Sequence, residues 1–252
     1  MLTRPANAAR TREAALGRSL GPAGTPQGVA LLLPAGPPEG TGRPTRLSSA
    51  AVRQLARALA RAGRRDGLAA HVVQYRVRGW NGDAADPVRD AMWAVDEVVR
   101  RYGDVPVALI GVDMGGRAAL RAAGHDAVGS VAALAPWLPA DSVADEPVKQ
   151  LAGRRVLIVH GTDDARTEPE SSYRLAERVK KANRDVCRFE VHTDGHTLSG
   201  HRAEVGALTA DFVLGSLFER DYARSLADAF AAPPPLGLRM PLAAGFGSAA
   251  YH

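Results

Sequence analysis

Short, unbroken apolar runs recur along the chain, separated by stretches in which apolar and charged residues alternate at helical spacing. Gly28 to Leu33 opens the series, and Leu68 to Tyr75, Val105 to Val112, Val128 to Ala135 and Arg155 to His160 continue it. Runs of this length without polar alternation mark strands buried on both faces, as in parallel sheets covered by helices. A sixth run, Val186 to His192, interleaves Arg188, Glu190 and His192, which places it nearer a sheet edge.

The segments between the runs read as helices. Val52, Leu55, Ala56, Leu59 and Ala60 share one face, with Arg53, Arg57, Arg61 and Arg64 on solvated faces. Ser48 or Ser49 is suited to cap that helix. Asp86-Pro87 reads as an N-cap followed by proline at the first helical position. Val88, Ala91, Met92, Val95, Val98 and Val99 then make an apolar stripe that Gly103 ends. Further helices are expected around Glu170 to Asn183, Arg202 to Phe218 and Tyr222 to Phe230. The alternation predicts an α/β fold: a mostly parallel central sheet of about six strands, flanked by helices on both faces and joined by right-handed crossovers.

Three regions follow. Residues 1–26 are small, polar and arginine-rich, a flexible basic arm with helical capacity between Arg10 and Leu20. Residues 27–220 form the α/β domain. Residues 221–252 give one helix and a loose tail rich in Pro, Gly and Ala.

Composition narrows the partners. Of 252 residues 46% are hydrophobic but only 5% aromatic, so the core is built from Ala, Val and Leu. The net charge is +5, and Arg4, Arg10, Arg12 and Arg18 against Glu13 put +3 of it in the first 28 residues. The basic stripe with interleaved aromatics expected of a nucleic-acid protein is missing. No apolar stretch approaches the ~20 residues of a membrane span, and the start lacks the apolar middle of a secretory signal. The single cysteine, Cys187, has no internal disulfide partner. The expectation is a cytoplasmic protein that acts on a small molecule, with no nucleic-acid or membrane partner. Oligomeric state is open.

Candidate chemistry centres on Gly111-Val112-Asp113-Met114-Gly115-Gly116. A strand, a sharp glycine-bounded turn and a helix place Asp113 at the strand's carboxyl end, where open parallel sheets keep their sites. His160-Gly161-Thr162-Asp163-Asp164 and Asp194-Gly195-His196 follow two later strands.

From about Gly28 to Phe218 these features resemble the α/β-hydrolase family. The first resembles its nucleophile elbow with aspartate in place of serine. The second resembles the His-Gly-x-x-Asp stretch that ends in the acid, here Asp164. The third resembles its Gly-His, here His196. Arg78-Gly79-Trp80-Asn81-Gly82 resembles the family's Arg-Gly-x-Gly loop. The resemblance implies a catalytic trio of Asp113, His196 and Asp164 and no cofactor. It also implies an oxyanion hole from the N–H of Met114 and that of Ala35 or Gly36, since Pro34 has none. The short lead implies a missing or reduced N-terminal hairpin. The brief connector between Trp137 and Gly153 leaves no room for a lid, as in small capless esterases similar to dienelactone hydrolase.

An aspartate changes the chemistry. A carboxylate with an unperturbed pKa of about 4 is ionised at neutral pH and needs no base in order to attack. Attack on an ester carbonyl gives a high-energy mixed anhydride, whereas attack on the saturated carbon of an epoxide or alkyl halide gives an ordinary ester on Asp113. His196, oriented by Asp164, then activates water against that ester. Family members with an aspartate nucleophile, the epoxide hydrolases and haloalkane dehalogenases, place Trp after it and carry a lid with Tyr or Trp. Here Met114 follows, and Tyr75, Trp80 and Trp137 are the candidates for substrate and leaving-group binding. Asp113 thus has three readings: nucleophile, acid/base or binding group, and altered serine position. They correspond to a hydrolase, to a lyase, cyclase or isomerase, and to a catalytically degenerate binding member. His71, His160 and His192 read as structural, His201 as a rival to His196, and Asp163 as a loop brace. The histidines form no recognised metal-ligand spacing.

Overall fold

The computed structural model describes residues 13–45 and 49–248. The apolar runs form the middle of one eight-stranded sheet in the order β1-β3-β2-β4-β5-β6-β7-β8. The long strands are β2 (Gly28–Leu33), β3 (Leu68–Gln74), β4 (Val107–Val112), β5 (Val128–Leu134), β6 (Arg155–Gly161) and β7 (Val186–Val191), all parallel. Two short edge strands complete the sheet: β1 (Ala15–Leu16), antiparallel to β3, and β8 (Met240–Pro241), parallel to β7.

Period-two alternation divides the core into two layers. Val29, Leu31, Leu33, Val107 and Leu109 point to the side covered by α2 (Asp86–Tyr102), α3 (Met114–Ala122) and α4 (Pro169–Ala182). Ala30, Leu32, Ala108 and Ile110 point to the side covered by α1 (Ala50–Ala62), α5 (Arg202–Phe218) and α6 (Arg224–Ala231). Both faces of β2 and β4 are therefore dry, which is why those runs carry no polar residue.

The described end of the N-terminal arm is strand-like and pinned, not helical. Ala15 and Leu16 pair with Gln74 and Val73, and Leu20 exchanges both backbone hydrogen bonds with Ala70. His71 has the structural role expected of it, with its ring nitrogens 2.9 Å from the Gly17 carbonyl oxygen and 3.0 Å from the Tyr102 hydroxyl. The remainder of the arm, including Arg4, Arg10 and Arg12, lies outside the described residues.

The C-terminal tail departs from the expected loose segment. Leu238, Leu242 and Phe246 are buried, and the tail covers the outer edge of β7. That cover explains Arg188: a residue read as an edge polar is 1% exposed, bonded to Ser172, Glu190 and the carbonyls of Leu238 and Pro169. His192, by contrast, lies in an exposed turn after β7.

Helix starts differ in detail from the expected caps. Ser49 precedes α1 without a side-chain capping bond, and Ser48 lies outside the described residues. Asp86 is the first residue of α2, and its carboxylate accepts from Arg76 and Asn81 instead of capping.

The β5–β6 connector is short and tied down. The Glu146 carboxylate accepts from Arg117 and Arg121 of α3, and Arg178 of α4 donates to the Val143 and Glu146 carbonyls. Among the described residues no helix is long and apolar enough to cross a membrane.

Candidate active site

The turn after β4 is set by sterics. A Cβ on Gly111 would stand 2.0 Å from the Gly115 carbonyl oxygen, and one on Gly115 would stand 2.2 Å from that of Leu33. Asp113, between them, is forced to φ 55° and ψ −121°. A non-glycine residue in that region is strained. The turn is held by the Asp113 N–H, which donates to Leu134, and by the Asp113 carbonyl, which accepts from Gly116, Arg117 and Trp137. The side chain is thereby projected above the sheet's carboxyl end.

Two further loops meet it there. Gly161 allows the β6 loop to approach the Asp194 carbonyl, where a Cβ would be 2.3 Å away. The Asp194 carboxylate accepts the N–H groups of Gly195 and His201, and its Oδ2 lies 3.2 Å from Nδ1 of His201. His201 therefore braces the loop, and His196 turns inward. Its Nδ1–H donates to Asp164 Oδ2 at 2.8 Å, and its Nε2 faces Asp113 Oδ1 across 3.4 Å.

Electrostatics follow from this placement. The contact with Asp113 raises the His196 pKa most, burial opposes it, and Asp164 adds to the rise. For Asp164, burial alone would push the carboxyl up. Bonds from His160, Thr167 and His196 outweigh it and hold the group well below the usual carboxylate range. Arg166, mostly exposed, sets its guanidinium 4.0 Å from Asp113 Oδ2.

No family model matches the sequence, and no curated protein matches it. Solved structures do match in shape. The esterase Pf2001 of Pyrococcus furiosus superposes with a TM-score of 0.61 at 15% identity, covering 76% of this chain and 84% of that one. An alpha-beta serine hydrolase homologue from Coxiella burnetii gives 0.56 at 16%, covering 81% and 98%. Est1E from Butyrivibrio proteoclasticus, with ferulic acid bound, gives 0.57 at 15%, covering 81% and 94%. The chain has the α/β-hydrolase fold. Within that fold, Asp113, His196 and Asp164 converge at the sheet's carboxyl edge.

The loop after β2 packs on the elbow. A Cβ on Gly36 would meet the Met114 side chain and the Arg78 carbonyl at 2.4 Å, so only glycine fits this approach. Among the described residues, the N–H groups of Met114, Ala35 and Gly36 have no backbone or side-chain acceptor.

Each of the three candidate aromatics has partners of its own, and Trp80 and Trp137 line a separate cavity of about 310 Å³ with Arg117 and Arg121. The Tyr75 hydroxyl donates to the Pro34 carbonyl. Its pKa is raised by burial and by the charges of Asp90 and Asp113. Trp80 and Trp137 meet edge to face, with the Arg117 guanidinium 4.3 and 4.8 Å from their rings. None of the three lines the cavity beside His196. That cavity, of about 520 Å³, runs between α1 and α5. Its walls include Leu55, Ala58, Val112, Leu134, Gly206 and Ala207, and His196 stands in its lining.

Sequence reasoning passed over Thr167, whose hydroxyl donates to Asp164 Oδ2 at 2.7 Å and whose N–H donates to Oδ1. The signal was a threonine three residues after an acid in a turn, a local side-chain-to-backbone pattern. Arg166 and the cavity wall were also missed. Ala203, Gly206, Ala207 and Ala210 repeat at helical spacing, and in sequence they look like ordinary core. The Asp163 N–H donates to the Asp194 carbonyl, and its carboxylate accepts from the Thr162 hydroxyl at 3.1 Å. Among the described residues no group of three His, Cys, Asp or Glu side chains is placed to hold a metal.

Proposed function

We propose that the protein is a cofactor-free hydrolase that opens a small, partly apolar electrophile, best an epoxide, through an ester on Asp113. The observation that carries this reading is the strained Asp113, whose carboxylate faces His196 Nε2 at 3.4 Å while Nδ1–H of the same ring donates to Asp164. A carboxylate only accepts hydrogen bonds. An imidazole between two carboxylates is suited to carry both protons.

The chemistry then balances in two steps. A carboxylate oxygen of Asp113 attacks the epoxide carbon, the C–O bond breaks, and the leaving oxygen takes the Nε2 proton of His196. Neutral His196 next draws a proton from water, whose oxygen adds to the Asp113 carboxyl carbon. The N–H groups of Met114 and of Ala35 or Gly36 are suited to the resulting oxyanion. Collapse releases a diol and restores the Asp113 carboxylate and the His196 imidazolium. The Tyr75 hydroxyl is spent on Pro34 and neither tryptophan lines the cavity that holds His196, which favours His196 as the acid. The apolar part of the substrate is assigned to the cavity between α1 and α5.

The test is single turnover of a terminal alkyl epoxide in ¹⁸O-labelled water. The expected result is label in the peptide carrying Asp113, because water attacks that carboxyl carbon. Diol formation without label in Asp113 would remove the covalent step. No turnover of any epoxide, alkyl halide or ester would remove the hydrolase reading and favour acid/base work by the same trio.

A further inference from the structure

Asp164 faces a second histidine that the proposed reaction does not use. His160, at the end of β6, is 1% exposed. Its Nε2 lies 3.0 Å from Asp164 Oδ2, the same oxygen that accepts from His196 Nδ1. Its Nδ1 lies 2.9 Å from Ser172 Oγ on α4. Ser172 Oγ also lies 2.8 Å from the Pro169 carbonyl oxygen and accepts from Arg188 Nε at 2.9 Å, and Arg188 is in turn paired with Glu190.

The protons in this chain can be assigned. Asp164 is a carboxylate and only accepts, so His160 Nε2 carries a proton toward it. His160 Nδ1 then either accepts the Ser172 hydroxyl proton or, in an imidazolium, donates to Ser172 Oγ. In the second case the hydroxyl turns to Pro169. Both states leave every polar atom paired. A buried network satisfied in this way fixes its members.

We propose that His160 is a positioning residue for the acid of the site: it holds Asp164 Oδ2 from behind and, by sharing that oxygen, limits how strongly Asp164 raises the basicity of His196. The inference rests on the reading of Asp164 and His196 as acid and base. Other charged groups at the two rings are Asp113 and Arg166 on the His196 side and Arg188 with Glu190 behind His160. Thr167 Oγ1, 3.3 Å from His160 Nε2 and from His196 Nδ1, is the third donor to the shared oxygen. Removing His160 concentrates the carboxylate on fewer partners, so His196 holds its proton more tightly.

The experiment is a ¹⁵N NMR titration of the histidine rings, which needs no turnover. In the wild-type protein the His160 Nε2–H proton resonance is expected to move in step with the titration of His196. A resonance indifferent to that titration would overturn the coupling, and this arm requires no variant to fold. In His160→Leu the His196 midpoint is expected to rise by roughly half to one pH unit. An unchanged midpoint in a folded His160→Leu protein would make His160 mere packing. Where turnover is found, the pH profile of kcat moves with the midpoint while KM stays. If hydrolysis is absent but the coupled titration is present, the function reading fails and this one stands.

Discussion

Nε2 of His196 stands 3.4 Å from Oδ1 of Asp113, close enough for the carboxylate to govern the proton on the ring. The His196 pKa is raised above its ordinary 6.5, chiefly by Asp113. A raised folded-state pKa gives stability that is fully present below 6.5 and is lost as pH rises through the folded value. Urea unfolding of wild type and His196→Gln across this range should show their difference largest below 6.5 and shrinking above it. A difference that grows with pH would contradict the sign.

Asp164 works in the opposite sense. Its carboxyl is held below the ordinary 3.8, so its contribution is present above that value and disappears as pH falls through the folded one. Asp164→Asn keeps the shape but removes the acceptor that orients His196. A loss in kcat of about 10⁴-fold is expected, by analogy with the same change in a serine-protease triad. Thr167→Val, which removes one donor to the same oxygen, should cost about 10- to 100-fold, the size of one hydrogen bond to a charge. Steady-state kinetics on whichever substrate is turned over ranks the two. Equal losses would argue against Asp164 as the group that orients His196 and Thr167 as its support.

Much of this arrangement was legible because it depends on local patterns. Gly111, Gly115 and Gly116 around one residue can be read as a turn that excludes any Cβ, and Leu31 and Leu32, neighbours on opposite faces, as a strand dry on both sides. What escaped depended on chain segments far apart in sequence. Arg188 reads as an edge residue until the tail from Leu238 to Phe246 is laid over β7. Trp80 and Trp137 read as substrate-binding candidates until they are seen to line a separate cavity with Arg117, which Glu146 fixes. Thr167 and His160 gain meaning only when both are seen on one oxygen of Asp164.

Gly115→Ala tests the elbow as a piece of steric engineering. The new methyl would sit 2.2 Å from the Leu33 carbonyl oxygen and 2.6 Å from that of Pro34. The end of β2 and the loop carrying Ala35 and Gly36 must shift to admit it. Overpacking of this kind costs about 1–3 kcal/mol. Denaturant unfolding should show that loss, together with a fall in kcat from the displaced N–H groups. A variant as stable and active as wild type would mean the turn has slack that these distances deny.

Glu146 anchors the short connector that stands where a lid would otherwise be. It is 2% exposed and takes bonds from both Arg117 and Arg121. Glu146→Ala leaves the buried Arg117 charge without a carboxylate, and breaking a buried pair from one side costs about 3–5 kcal/mol. Arg121→Ala, at a more exposed position, should cost markedly less. Calorimetric or urea unfolding distinguishes the two, and near-equal effects would count against Arg117 as the buried member of the pair.

The last prediction concerns the cavity between α1 and α5, where fold and proposed chemistry can be separated. Gly206 lines that cavity in the interior of α5, and a Cβ placed on it meets nothing within 4 Å. Leucine there should strengthen the helix, since glycine is worse than most residues by about 1 kcal/mol in a helix interior. It should also fill the space assigned to the apolar part of the substrate. Gly206→Leu is therefore expected to unfold at a higher temperature than wild type. For a series of terminal epoxides of increasing alkyl length, KM should fall with length in the wild type and stay flat in the variant, with kcat on the shortest member unchanged. Loss of activity on all members would mean that the substitution reaches His196 through the helix. A series in which both proteins respond alike to chain length would place the apolar part of the substrate outside this cavity.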